Sequence, residues 1–120
     1  MSEITQADIE LDTDRYSVKL DNPQINFNDD RFGAVLVCAV RYAMGRQTYM
    51  PGLVIGFINP LLPHISKKTL AVFKQDYERN ARDEERTGWN MFGDPNIDKP
   101  EWDKFYTDVC AELERRRLND

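Results

Sequence analysis

A chain of 120 residues, 41% hydrophobic and 31% charged, has the size and balance of one globular domain that buries about two-thirds of its unfolded surface. Its net charge of −5 speaks against DNA or RNA as a partner, because such binders need a basic stripe to displace counterions from phosphates. No apolar run reaches the ~18 residues of a membrane span, and the acidic start, MSEITQADIELDTD, lacks a signal-peptide core. A cytoplasmic protein of one domain, residues 1–120, is expected.

Residues 1–13 read as a loose polar arm, with room for a short strand near Ile9 and Leu11. From Arg15 the run RYSVKL alternates, Tyr16, Val18 and Leu20 against Ser17 and Lys19, which predicts a half-buried strand. Asp21-Asn22-Pro23 is a turn signal, and Ile25 with Phe27 offers a second short strand. A lone hairpin is marginal in water and must pack on other elements. The expected fold is therefore α+β: a short N-terminal antiparallel β-hairpin or small sheet packed on three to four helices, with a buried central helix.

That central helix is expected in residues 32–49, FGAVLVCAVRYAMGRQTY, apolar on every face over its first two-thirds. Asn28-Asp29-Asp30 supplies a cap and acidic first turn, and Gly45 stands where a C′ glycine belongs. Arg41 and Arg46 bracket the helix end, and Thr48 and Tyr49 follow at once. PGLVIGFINPLLP reads as a short helix ending before Pro60. Ser66 caps the next helix, whose stripe is Leu70, Phe73 and Tyr77. GWNMFGDPNIDKP is a turn-rich loop carrying Trp89 and Phe92, large aromatics that must pack back or bind something. Asp98, Pro100 and Glu101 open the last helix. Trp102, Phe105, Tyr106, Val109 and Leu113 form its stripe, and Arg115, Arg116 and Arg117 close it at the negative helix end.

The missing residues limit the chemistry. With one histidine, His64, and two separated cysteines, Cys38 and Cys110, a zinc site would have to recruit distant carboxylates. The cysteines fit buried thiols in a reducing compartment. Asp83, Glu84 and Glu85 are consecutive, so they fan around a helix instead of converging. There is no phosphate-binding glycine loop and no nucleophile elbow. No catalytic, metal or cofactor residues are assigned, and an enzyme is not expected. What remains is an anion-and-base pocket: arginines suited to phosphate and aromatics suited to a purine face. By spacing alone, helix-end arginines and core aromatics are the simpler account.

The segment RYAMGRQTYMPGLV, residues 41–54, and the later GDPNID, residues 93–98, followed by Trp102, resemble motifs of the phage anti-Thoeris sponge family, Thoeris anti-defence of the first type. The likeness covers roughly the C-terminal two-thirds of the chain. The N-terminal arm and residues 83–87 carry none of it. It implies a phage protein in the cytoplasm of an infected bacterium that sequesters a cyclic ADP-ribose-type immune signal without cleaving it. It also implies a homo-oligomer, dimer-based or hexameric, with cyclic oligonucleotides held at separate sites in some members. On that expectation Arg41, Arg46 and Arg116 hold phosphates, Thr48 and Asp94 bond ribose hydroxyls, and Trp89, Phe92 or Tyr49 stacks on the base. The alternative is a phage inhibitor that binds a host defence protein directly through its acidic surface and the Trp89 loop.

Overall fold

The computed structural model of the protein describes residues 26–44 and 50–119. They form four α-helices: α1 (Asp30–Ala43), α2 (Met50–Ile58), α3 (Lys67–Thr87) and α4 (Asp98–Asn119), with a 3-10 helix at Asn59–His64 after α2. Helix α1 packs on α2 and α3, and α4 packs on the same two, so the four close into a ring around one core. Leu36 and Val40 of α1, Phe73 of α3, and Trp102 and Phe105 of α4 meet there, with Phe92 inserted from the α3–α4 loop.

The α+β expectation is overturned. Among the described residues all regular structure is helical and no strand occurs. The first expected strand, Arg15 to Leu20, and Ile25 of the second lie outside the described residues. Phe27 is described, and it sits in a turn. Asn26 Oδ1 accepts from Asn28 N at 3.0 Å, and Asn26 O accepts from Asp29 N at 3.0 Å. This side-chain turn offers the backbone an alternative to a strand ladder, and it delivers Asp29 as the α1 cap, whose carboxylate accepts from Arg31 N. The Phe27 ring packs edge-on against Phe32, 5.3 Å between centroids.

The central helix is also less enclosed than its composition suggests. Gly33, Leu36, Val40 and Ala43 are buried, at helical spacing on one face. Val35 on the far side is 64% exposed, and Cys38 is exposed with a free thiol. Apolar composition sets which side chains tolerate burial, whereas the number of neighbouring helices sets how many achieve it. Two neighbours cover one stripe.

Local rules place the remaining boundaries. Ser66 Oγ accepts from Thr69 N at 3.1 Å and starts α3. Gly88, at φ 78°, ends it in the left-handed conformation that glycine reaches without strain. Helices α1 and α3 approach so closely that a Cβ on Gly33 would fall 2.0 Å from Thr69 Oγ1. Opposite Thr69, position 33 has room for glycine alone.

Candidate functional site

Asp76 lies on the buried side of α3, one turn beyond Phe73, with its side chain 2% exposed. An ionised carboxylate there must be paired. Arg41, in the last turn of α1, supplies a two-pronged partner: Nε donates to Oδ2 at 2.7 Å and Nη2 to Oδ1 at 3.1 Å. Arg79, one turn along α3, adds Nη1 at 3.2 Å from Oδ1. The hydrogen bonds that Arg41 donates to Asp76 raise the Arg41 pKa above its already high ordinary value. One buried carboxylate thus holds two guanidiniums, and two positive charges face one negative.

Both guanidiniums remain half open to solvent, Arg41 at 53% and Arg79 at 51%. A guanidinium carries five N–H groups. Arg41 gives two to Asp76 and keeps three for another acceptor. These groups border a cleft of about 390 Å³, inside the range of small-molecule sites. Asn80 and Asn90 add amides to its wall, and Met44 and Met91 add apolar surface. The loop that forms one side is tied to α3: Asn80 Nδ2 donates to Met91 O at 3.3 Å, and Glu84 Oε2 accepts from Met91 N at 3.2 Å. The result is a cleft edged by two guanidiniums held in place by one carboxylate, an arrangement chemically able to receive an anion.

The expected site residues separate on this geometry. Arg41 lines the cleft. Arg46, Thr48 and Tyr49 lie outside the described residues; they follow Met44, itself a lining residue, in the chain. Trp89 directly precedes the lining residue Asn90 and is 73% exposed. Phe92 is wholly buried, its ring 4.9 Å from that of Tyr77, and has no face left for a base. Asp94 is taken up by the approach to α4: its Oδ1 accepts from Asn96 N at 2.7 Å and Ile97 N at 3.2 Å. Arg116 donates to Glu112 Oε2 at 2.8 Å and to Leu62 O at 2.9 Å, joining α4 to the 3-10 helix.

Asp76, Arg79, Asn80 and Asn90 were not singled out by sequence reasoning. One signal was present. Leu70, Phe73, Asp76 and Asn80 share a helical face, and an acid inside an apolar stripe demands a cation from another element. The partner on α1, 35 positions away, leaves no trace in local spacing.

A second polar cluster joins α3 to α4. The Tyr77 and Tyr106 rings stack at 4.1 Å with 12° between planes. Tyr77 Oη donates to Asp103 and Tyr106 Oη to Glu78, and Lys99 and Lys74 pair with the same two carboxylates. Burial, then the Asp103 bond, raises the Tyr77 pKa; the bond to Glu78, then burial, raises that of Tyr106. Both phenols therefore stay protonated near neutrality and act as donors that clamp the helices. Among the described residues no three His, Cys, Asp or Glu side chains gather as metal ligands, and no helix is long and apolar enough to cross a membrane.

Set against known proteins, the chain matches no family model, no curated protein and no solved structure.

Proposed function

We propose that the protein binds and sequesters a cyclic ADP-ribose-type signal without cleaving it, using the cleft bordered by Arg41 and Arg79 to hold the diphosphate. The observation that carries this reading is the pair of half-exposed guanidiniums fixed on one buried carboxylate beside an open cleft. Arginine forks match phosphate oxygens in two-pronged geometry. A structural ion pair alone would need one arginine, whereas here two share Asp76 and leave a positive excess in a chain of net charge −5. The Asn80 and Asn90 amides suit ribose hydroxyls. The likeness of residues 41–54 to the anti-Thoeris motif supports the same ligand class and keeps Arg46, Thr48 and Tyr49 as further contacts. It also supports a homo-oligomer in the cytoplasm of an infected bacterium.

The energetics permit retention of a scarce signal. Binding near nanomolar requires about −12 kcal/mol. A ligand of roughly 35 non-hydrogen atoms at about −0.3 kcal/mol per atom reaches about −10. Charge-assisted hydrogen bonds at about 1.5–3 kcal/mol each provide the remainder.

Calorimetric titration of cyclic ADP-ribose into the wild type and Arg79→Ala tests the reading. Arg79→Ala leaves the Arg41–Asp76 pair in place, so the variant should fold while its affinity falls at least about tenfold, a loss of about 1.4 kcal/mol. Equal affinity in a folded variant would remove the cleft from the site. A direct inhibitor of a host protein is the second reading, favoured by the exposure of Trp89. It predicts a captured host polypeptide lost in Trp89→Ala and no heat on titration with the nucleotide.

A further inference from the structure

Arg41 borders two clefts, not one. On its other side a groove of about 330 Å³ runs between α1 and α3. Its walls are apolar: Ala34, Val37 and Cys38 from α1 face Val72 from α3. At the end away from Arg41 stand Asp30 and Lys68, 3.9 Å apart and both well exposed. The arginine cleft is polar and suits charged oxygens, whereas this groove keeps its charges to its two ends and suits a flat apolar body between them. The two meet at one guanidinium, whose plane can donate in one direction and stack in the other.

We infer that the groove is the base subsite of the same nucleotide, seating a purine between Ala34, Cys38 and Val72 while Arg41 and Arg79 hold the attached phosphates. This rests on the nucleotide reading given above and adds which part of the ligand goes where. A purine presents faces that prefer apolar contact and an edge of hydrogen-bonding groups. Asp30 can accept from an exocyclic amine, and Lys68 can donate to a ring nitrogen. Base and diphosphate are then read by different side chains, so they should be separable by substitution.

Two measurements on the full chain test the assignment. Ala34 is exposed and lines the groove, so Ala34→Trp fills it without entering the core. Titration should show cyclic ADP-ribose binding weakened at least about tenfold, with inorganic pyrophosphate binding unchanged. In the wild type, cyclic ADP-ribose should slow alkylation of Cys38 by N-ethylmaleimide, read by peptide mass, and pyrophosphate should not. Cys110, half-buried elsewhere on α4, serves as the internal reference. Unaltered nucleotide affinity in Ala34→Trp, or Cys38 alkylated at the same rate with and without nucleotide, overturns the base subsite. If Arg79→Ala still loses affinity in that case, the phosphate cleft survives and the groove alone is rejected. If the wild type binds neither probe, both fall together.

Discussion

Asp76 decides how the arginines behave. Without a buried carboxylate, Arg41 at a helix end would sample many rotamers and simply offset the negative helix terminus. With it, both prongs of Arg41 are directed and Arg79 is drawn to the same oxygen. Asp76→Ala therefore adds net positive charge to the cleft, yet nucleotide binding should weaken because the two guanidiniums are no longer held in place. Unfolding free energy should fall by about 1.5–3 kcal/mol as the charge-assisted bonds are lost, measured by urea denaturation. Stronger nucleotide binding in this variant would mean that charge, not placement, governs the site. Glu112 shows the opposite use of arginine. Hydrogen bonds from Arg115, opposed by burial and aided by Arg116, lower its pKa from 4.5 to about 2. A depressed carboxyl stabilises the fold above its unfolded pKa, and that contribution is lost as pH falls through the folded value. The stability difference between wild type and Glu112→Gln should thus be constant above about pH 5 and shrink between 4.5 and about 2. A difference independent of pH over that window would contradict a Glu112 carboxyl held low by its arginines.

At the scale of elements, the α1–α3 crossing positions the core of the site, because Arg41 and Asp76 stand one on each of the two helices and meet beyond it. Gly33→Ala puts a Cβ 2.0 Å from Thr69 Oγ1, which should force the helices apart at about 1–3 kcal/mol. Thr69→Ala in the same chain removes the obstructing oxygen, and the double variant should recover part of the loss, a coupling read from a thermodynamic cycle. Full additivity would mean that the crossing relaxes by another route. Helix boundaries were legible in the sequence because their causes are local. The Asp29 and Ser66 caps and the periodicity of Trp102, Phe105 and Val109 all appear as expected. The turn at residues 26–29 misled because Phe27 alternates with Ile25 as a strand residue would. Its neighbours Asn26 and Asp29 form side-chain bonds that favour a turn into a helix. The exposed flank of α1 was hidden for a different reason: a run of small apolar residues looks the same whether two or four neighbours surround it. The candidate site was half legible. Arg41 was visible as a polar residue ending an apolar helix, but its anchor and companion arrive from another helix.

For the whole molecule, the ring of four helices closes on Trp102 and Phe73, both buried. Trp102→Ala should lose about 3–5 kcal/mol, enough to unfold a marginal domain, and a cooperative thermal melt of near-wild-type midpoint would contradict that role. An acidic exterior repels a free anionic nucleotide at long range, so on-rates should rise with added salt while phosphate contacts weaken. Retention would then depend on slow release from the arginine cleft, as expected when affinity differences reside mainly in the off-rate. The direct test is to incubate the pure protein with cyclic ADP-ribose, isolate the complex by gel filtration, heat it, and weigh what is released. Intact nucleotide recovered from the wild type, and largely lost from Arg79→Ala, is the predicted result. A cleaved product, or no nucleotide carried through the column, would contradict sequestration.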